Sequence, residues 1–274
     1  MGHQPVPDLP ALLCEHRGER IMAIADLHLG IEEQYRKAGA HIASGMERTA
    51  KKVLGAIKAN GASRLVVVGD IKHSIPWVSL QEAREVPRFF EMLSGSVERI
   101  EMVLGNHDGD LRRLFTKPQI TRMNIRFHAD AFVLGECAFF HGHKWPPEKA
   151  MSKRYLVLSH NHPSVELPQG IGMSIYQPCW LRAGLIPERV KKHYPDVELD
   201  PEHEVIVMPA MLSEARGTAV NSARGKLLGP RVANGLVDVG NARVYLLDGT
   251  QLGRVKDLRA SSRSISWISP YVSP

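Results

Sequence analysis

Five short apolar runs in this chain each end in a residue type that binds metal ions. Glycine or turn-forming residues bound each run, a pattern that predicts buried β-strands. The five junctions are Ala25-Asp26-Leu27-His28, Gly69-Asp70, Gly105-Asn106-His107-Asp108, His141-Gly142-His143 and Ser159-His160-Asn161-His162. Because the carboxyl ends of strands in an α/β sheet open onto one edge, we expect these side chains to meet there. The chain must therefore fold so that five strand ends surround one binuclear metal site.

The order of the elements predicts the fold class. Strands alternate with helices to about residue 115, and short strands dominate from about residue 120. Helical spacing runs over 44–60 and stops before Gly61, and a second helical stretch, 80–93, contains Pro87. This order predicts an α/β fold with two packed mixed β-sheets flanked by helices. We expect a single domain over residues 1–274, with an irregular, proline-rich and charged excursion at about 180–204.

Composition narrows the classes of protein further. No apolar run approaches the ~18 residues of a membrane helix, and the first residues lack the order of a secretory signal. Cys14, Cys137 and Cys179 show no paired spacing, which indicates neither disulfides nor a zinc ribbon. These features predict a cytoplasmic protein. The net charge of +6 favours an anionic partner, most often nucleic acid, although a mildly basic surface without function is an equal alternative.

The residue types at the five junctions suit divalent transition metals. Carboxylates and imidazoles bind such ions and a carboxylate can bridge two of them, whereas the thiolates typical of structural zinc sites are absent from the motifs. Two adjacent cations lower the pKa of a water molecule between them and can clamp the oxygens of an in-line phosphoryl displacement. Metal-assisted hydrolysis is therefore the chemistry that the junctions indicate.

As an ordered set, these five motifs resemble the signature of the calcineurin-like metallophosphoesterases. The resemblance covers roughly residues 20–165. The wider context is similar to the archaeal and bacterial phosphoesterases described as SbcD-related or ligase-associated, through residues 26–30, 69–73, 217–221 and 245–249. It implies a four-layer sandwich and a binuclear phosphoesterase, in which a hydroxide that bridges the metals attacks phosphorus. The implied activity is that of a phosphodiesterase or nuclease acting on DNA or RNA.

The resemblance also implies a role for each motif residue. It assigns the metal ligands in two groups around a bridging carboxylate, Asp70: Asp26, His28 and His162 for the first ion, and Asn106, His141 and His160 for the second. His107 would be the general acid. Two manganese ions are the first expectation, with iron, zinc, nickel or cobalt as alternatives. Because relatives are associated with helicases and ligases, a DNA-repair partner is implied besides nucleic acid.

The motifs depart from the family pattern at two residues. Ser159 stands where a glycine is usual, and His73 replaces the carboxylate that usually partners the catalytic histidine. Asp108 could take over that role, or His73 could contact substrate directly. His143 and Arg182 are further candidates for contacts with the ligands or with phosphate. The helix expected after Asp108 would point its amino terminus at the site, where its dipole favours an anion.

Two other functions remain open on the sequence. One is hydrolysis of a small phosphodiester or of a phosphomonoester, and the other is an interaction scaffold that keeps the metal site without catalysis. His107 argues against the scaffold, since metal binding alone does not need it. If nucleic acid is the substrate, we expect basic residues that flank the motifs to hold its backbone: Arg36, Lys37, Lys72, Arg112, Arg113 and Lys144.

Overall fold

A computed structural model of the chain describes residues 2–169, 173–212, 217–222, 227–230 and 235–261. The strands are β1 His3–Pro5, β2 Ala11–His16, β3 Glu19–Ala25, β4 Arg64–Val68, β5 Arg99–Val103, β6 Ile125–His128, β7 Phe132–Leu134, β8 Cys137–Phe140, β9 Tyr155–Leu158, β10 Pro163–Pro168, β11 Ser174–Ala183, β12 Glu204–Val207, β13 Thr218–Ala219, β14 Arg243–Leu246 and β15 Gln251–Arg254. The helices are α1 Glu32–Lys37, α2 Met46–Asn60, α3 Leu80–Ser94, α4 Lys117–Arg122, α5 Glu148–Met151, α6 Pro187–His193 and α7 Val255–Ser261.

The first sheet has six strands in the order β1 to β6. Strands β3 to β6 run parallel, and β1 and β2 complete the sheet as antiparallel strands. All five residues of β4 are buried, which fits a central parallel strand that is covered on both faces. The parallel arrangement brings the ends of β3, β4 and β5 to one edge of the sheet.

The second sheet has nine strands and is also mixed. Strands β8, β9 and β12 are parallel neighbours at its centre. Antiparallel pairing adds β7 beside β8 and β11 beside β12, and the outer strands follow from there. The ends of β8 and β9 therefore open onto a common edge, as those of β3, β4 and β5 do in the first sheet.

Three apolar clusters define the layers. The inner cluster joins the two sheets, with Val66 and Val68 of the first sheet packed in the same cluster as Phe139 and Trp180 of the second. A second cluster packs α2 and α3 on the outer face of the first sheet, and a third packs α5, α6 and α7 on the outer face of the second. The predicted fold class, two packed mixed sheets flanked by helices, is confirmed.

Local sequence signals account for the two long helices. Helix α2 ends at Asn60 because Gly61 adopts a left-handed conformation with φ of 61°. Helix α3 begins at a capping box, in which the Ser79 side chain accepts from the backbone N–H of Glu82 and the Glu82 carboxylate accepts from that of Ser79. The helix continues through Pro87 to Ser94, so the proline does not end it.

Two local predictions need correction, and the strand-rich region after residue 120 contains the hairpin β7–β8, which turns at Gly135 with φ of 57°. The excursion expected from 180 begins later, because Trp180 to Ala183 continue the buried strand β11, where Arg182 is neutralised by an ion pair. The helix expected after Asp108 is only the four-residue 3₁₀ turn Leu111–Leu114, too short to carry a substantial dipole. Among the described residues, no helix is both long and apolar enough to cross a membrane.

Candidate metal centre

The motif loops leave their strands at one level of the two sheets. In the first sheet, Ala25 pairs with Val68 and Val68 with Val103, so β3, β4 and β5 end side by side. In the second sheet, Phe140 pairs with Leu158, so β8 and β9 end together. Each motif starts within three residues of these pairs. The strand ends predicted from the sequence therefore converge on a single edge.

The backbone at this edge is strained. Eight non-glycine residues of the described chain have positive φ, and five of them belong to the motifs: Asp26, His28, Asp70, His160 and His162. Such conformations cost about 1–3 kcal/mol each and persist where surrounding structure imposes them, commonly at functional sites. The folded core thus holds these side chains in directions that the local backbone does not favour.

Two glycines allow the motif loops to approach each other closely. A Cβ at Gly69 would lie 2.1 Å from Nδ1 of His141, and φ there is 77°. A Cβ at Gly105 would lie 2.1 Å from Oδ1 of Asp70. Any larger residue at either position would push a motif side chain out of place.

One cluster joins Asp26, His28 and His162. Their nearest ligand atoms all lie within 4.8 Å of one another. Nε2 of His28 is 3.3 Å from Nε2 of His162, which is 3.5 Å from Oδ2 of Asp26. This is the group that the family resemblance implies for the first metal ion.

A second cluster joins Asp70, His141 and His160. Nε2 of His141 lies 3.3 Å from Oδ2 of Asp70 and 3.1 Å from Nδ1 of His160. The side-chain oxygen of Asn106 is 3.1 Å from the same Nε2. The structure thus brings together the group that the resemblance implies for the second ion.

The donor set fits divalent metal ions. Oδ1 of Asp26 is buried and accepts no hydrogen bond within the described chain, although Nδ1 of His141 lies 3.5 Å away. Nitrogens of neutral imidazoles that face one another repel through their lone pairs unless a proton or a cation lies between them. Mixed nitrogen and oxygen donors without thiolate are typical of Mn, Fe, Co, Ni or Zn centres.

Burial and neighbouring charges together set the protonation states of the site residues. Burial lowers the pKa of His28 to about 3 and that of His160 to about 4. Burial acts against ionisation of Asp70, but the hydrogen bond and charge of His141 outweigh it and lower the pKa of that carboxyl well below its usual range. Burial also acts to lower the pKa of His141 and His162, but Asp70 beside the first and Asp26 beside the second outweigh it and raise the pKa of both rings, so a cation bound there would displace a proton.

His107 lies beside the clusters with its ring orientation fixed. Its Nδ1–H donates to the backbone carbonyl of His73, so Nε2 is directed toward Asp70, 3.9 Å from Oδ2. Its backbone N–H donates to Oδ1 of Asp70 at 3.0 Å. A backbone carbonyl therefore occupies the place of the carboxylate that the family pattern leads one to expect.

Asp108 does not take that role, because its oxygens are used elsewhere. Oδ1 accepts from the backbone N–H groups of Ile71 and Lys72 at 2.9 and 3.2 Å, and Oδ2 accepts from that of Gly105 at 2.8 Å. Burial raises the pKa of Asp108 to about 6 despite these bonds. The side chain ties the Asp70 loop to the Asn106 loop.

His73 supports His28. The two Nδ1 atoms are 3.3 Å apart, and Nε2 of His73 donates to the side-chain oxygen of Gln34 on α1. Outer contacts of this kind fix the tautomer and the ring orientation of metal-binding histidines. Sequence reasoning missed Gln34, because no motif or spacing marks a glutamine on a short helix.

Two predicted contacts, Arg182 and Lys72, lie elsewhere, whereas His143 lies beside the clusters. Arg182 pairs with both oxygens of Glu204 at 2.6 Å, at the amino-terminal end of β12 and so at the opposite edge of the sheet. Lys72 is 1% exposed and its amine donates to the carbonyl of Ser74, so it does not line a rim. The ring of His143 is 5.2 Å from that of His141, and burial lowers its pKa to about 4.

The remaining basic candidates lie on the surface. Arg36 and Arg113 are 54% and 83% exposed and pair with the nearby Glu33 and Asp110. The other three are also exposed: Lys37, Arg112 and Lys144. All five remain accessible to an anionic ligand.

Comparison with known proteins gives a family match and three structural likenesses. The family model for calcineurin-like phosphoesterases matches residues 19–246. The chain is similar to the nuclease MPE of Pseudomonas putida at 19% identity and a TM-score of 0.44, covering 88% of this chain and 100% of that one. It is similar to YfcE, a phosphoesterase from E. coli, at 15% identity and a TM-score of 0.39, covering 85% of this chain and 97% of that one. It is also similar to an archaeal phosphodiesterase, at 16% identity and a TM-score of 0.36, covering 69% of this chain and 83% of that one. Among curated proteins no match was found.

Proposed function

This chain belongs to the calcineurin-like phosphoesterase family of metal-dependent phosphoric ester hydrolases, and from that premise we propose that it is a binuclear phosphodiesterase that cleaves nucleic acid. We assign it to the SbcD-related, ligase-associated group because of the motif context at 26–30 and 69–73. The proposal takes residues 1–274 as one domain and manganese as the first choice of metal. A DNA-repair helicase or ligase is the partner class that this assignment implies.

The position of Asp70 carries the binuclear part of the proposal. Its Oδ2 lies 3.3 Å from Nε2 of His141 in one cluster and 3.7 Å from Nε2 of His28 in the other. A carboxylate that reaches both ligand groups is what a shared, bridging ligand requires. Asp26 also approaches both clusters, but its contact with the second is to Nδ1 of His141, which bonds Ser159, whereas Asp70 faces Nε2 of both His28 and His141.

The remaining site residues supply orientation and a proton. Two divalent ions held there would provide a nucleophilic water at neutral pH and neutralise charge on the phosphoryl oxygens. When its ring carries both protons, His107 can donate the one on Nε2 to the leaving-group oxygen, since Nε2 is directed toward Asp70. The His73 carbonyl accepts from Nδ1 and fixes the orientation of the ring. Asp108 holds the two motif loops that carry Asp70 and His107 in register.

Charge supports nucleic acid as the substrate. The chain carries a formal charge of +6 at pH 7, and exposed basic residues flank the motif loops. A polyanion held by such residues releases counterions, so its binding weakens steeply with salt. A small phosphoester needs none of these outer contacts, and salt dependence therefore separates the two substrate classes.

A cleavage panel tests the proposal. The substrates are single- and double-stranded DNA and RNA, cyclic nucleotides, an aryl phosphodiester and an aryl phosphomonoester, each with Mn, Mg, Ni and Zn. We expect oligonucleotides to be cleaved with the highest kcat/KM and in a salt-dependent manner. Turnover restricted to small esters would reduce the proposal to a small-molecule phosphoesterase. Absence of turnover in folded, metal-loaded protein would leave an interaction scaffold.

Charge reversal beside the site sharpens the test. Arg112→Glu with Arg113→Glu should impair oligonucleotide cleavage about 10-fold or more at moderate salt and spare the aryl phosphodiester. The matched control is Arg243→Glu with Arg254→Glu, two exposed arginines paired across β14 and β15 at the opposite edge. Equal losses in both double variants would indicate a non-specific effect of net charge.

A further inference from the structure

An exposed apolar surface begins next to the metal centre. Ile75, Trp77 and Leu80 are 57%, 78% and 92% exposed, and together we call them the Trp77 ledge. Large apolar side chains grouped on a surface commonly mark a binding site. None of the three side chains belongs to the metal clusters, and one of them is a tryptophan, the largest flat side chain available for contact.

The ledge is a continuation of the site loop. His73 contacts His28 through its ring and His107 through its carbonyl. Trp77 follows four residues later, so the two Cα atoms are at most about 14 Å apart. A short stretch of single-stranded nucleic acid with a phosphate at the clusters can therefore reach the indole ring.

The loop that carries the ledge is anchored at both ends. The carboxylate of Glu82, which is 0% exposed, accepts from the backbone N–H groups of His73 at 2.9 Å, Ser79 at 2.6 Å and Ser74. The Ser79 side chain completes the capping box on α3. The same buried group thus holds the start of the loop, at the metal centre, and its end. An exposed ring on such a support is preorganised for contact.

We propose that Trp77 is a stacking platform for a nucleobase adjacent to the scissile phosphate. This inference rests on the proposed function, since it names how that site holds its substrate. The chain's positive charge and the continuity of the ledge with the site favour a nucleic acid over an apolar protein surface as occupant. Stacking tolerates every base because each has a π-face, so Trp77 would contribute affinity and position without sequence specificity.

The test combines protein variants with modified oligonucleotides. A series of single-stranded substrates carries one abasic site at successive positions around the cleavage point, and cleavage is measured for wild type, Trp77→Ala and Trp77→Phe. We expect Trp77→Ala to lower kcat/KM on the intact strand about 5- to 150-fold, the range for one stacked base. Trp77→Phe should retain most of the activity, because it keeps a ring.

The decisive result is coupling between ring and base. At one position the abasic site should lower wild-type kcat/KM by about the factor lost in Trp77→Ala, and it should cost that variant nothing more. Binding of the same strands after chelation of metals, measured by fluorescence anisotropy, should show the same coupling independently of turnover. Leu80→Ala is the matched control, an apolar truncation on the same ledge, and should have a smaller effect.

Each other outcome overturns the inference. If wild type cleaves oligonucleotides but abasic sites affect Trp77→Ala as they affect wild type, Trp77 does not stack and the proposed function stands. If Leu80→Ala equals Trp77→Ala, the contact is generic and apolar. If Trp77→Ala changes the oligomeric state and leaves cleavage unchanged, the ledge is a contact between copies of this chain. If wild type cleaves no nucleic acid, the proposed function and this inference fail together.

Discussion

Charged side chains are arranged differently at the two opposite edges of the sheets. At the carboxyl-terminal edge, like groups crowd together, with Nε2 of His28 3.3 Å from Nε2 of His162 and a buried oxygen of Asp26 without a hydrogen bond in the described chain. At the opposite edge, carboxylates lie between basic groups, as where Arg64 donates to Glu19 and Glu101 at 2.8 Å each. Arg182 and Glu204 form a comparable pair in the second sheet.

The difference shows how a structural charge cluster is distinguished from a binding site. Paired ions with satisfied hydrogen bonds need nothing further, and they stabilise the position of the chain. Several acceptors held within a few ångströms, on strained backbone, are stabilised when a proton or a metal cation lies between them. The comparison predicts that changes at the first edge alter metal binding and turnover, whereas changes at the second alter only stability.

The largest effect is expected for Asp70→Asn. Removing the charge that lies between the clusters should lower kcat at least about 10⁴-fold, since metal-based stabilisation of the transition state is worth several kcal/mol. Because the side chain reaches both ligand groups, metal content measured by mass spectrometry should fall for both ions. Loss of a single ion per chain would contradict the bridging role.

A stability measurement controls this result. His141 holds the pKa of Asp70 well below its usual range, so the charge stabilises the metal-free protein at neutral pH, and the variant should unfold at a somewhat lower denaturant concentration yet remain folded without denaturant when metals are chelated. If the variant is already unfolded without metal, Asp70 has a structural role, and the loss of turnover would no longer support the contrast between the two edges.

The second effect is expected for His107→Ala. General acid catalysis is typically worth about 10²- to 10⁴-fold, so kcat should fall by that factor while metal content remains near normal. The loss should shrink for a nitrophenolate leaving group, which needs little protonation. An equal loss with good and poor leaving groups would show that His107 contacts the phosphoryl oxygens instead.

These two residues were recognisable in the sequence, and the reason is physical. A ligand that follows a buried parallel strand is positioned by the strand, so Asp70 and His107 are marked by the apolar runs before them and by Gly69 and Gly105. The same runs gave the two sheets and the position of the edge. The sequence did not predict the bounds of the hairpin β7–β8 or the length of β11, because both depend on strand pairing that is not local in the sequence.

The groups that hold the site's histidines in position could not be predicted in the same way. The partner of His107 is a backbone carbonyl, which any residue at position 73 supplies, and it therefore leaves no trace in residue type. Gln34 reaches His73 from a six-residue helix that has no buried residue. The prediction that Arg182 lies near the site is wrong because its ion-pair partner, Glu204, lies 22 residues away along the chain, and no local pattern marks that pairing.

A smaller effect is expected for Gln34→Ala. Without the Gln34 oxygen, the His73 ring loses its hydrogen-bond acceptor and no longer fixes the orientation of His28. Affinity for the first metal ion should therefore fall about 10-fold, the lower end of the range for residues that contact metal ligands. Gln34→Glu keeps an acceptor oxygen and should restore the affinity, measured by competition with a metal-sensitive dye. Gln81→Ala, which removes a glutamine bonded to Glu32 and Glu85, is the matched control. Normal metal binding by Gln34→Ala would mean that His73 orients itself without help.

The smallest effect is expected at the opposite edge, for Glu204→Gln. Burial acts against ionisation of Glu204, but His3 and Arg182 outweigh it and lower its pKa from about 4.5 to about 2. Because the folded pKa lies below the unfolded one, the pair stabilises the protein above about pH 4.5 and loses that contribution as pH falls toward about 2. The pair is partly solvent-accessible, so screening limits the contribution to about 1 kcal/mol.

Urea unfolding of wild type and variant, in metal-free protein at pH 7 and at pH 3, measures this contribution. The stability difference between the two proteins should be about 1 kcal/mol at pH 7 and smaller at pH 3, where the unfolded chain already binds the proton. Glu202→Gln, which breaks a more exposed pair with Arg154, should show less of this pH dependence because water screens it more strongly. Turnover should be unchanged in both variants, since Glu204 is paired with the first residue of β9, whereas the proposed metal ligands His160 and His162 follow the last. A fall in kcat with Glu204→Gln at full metal occupancy would show that the two edges are coupled, and the division between binding charges and structural charges would then no longer hold.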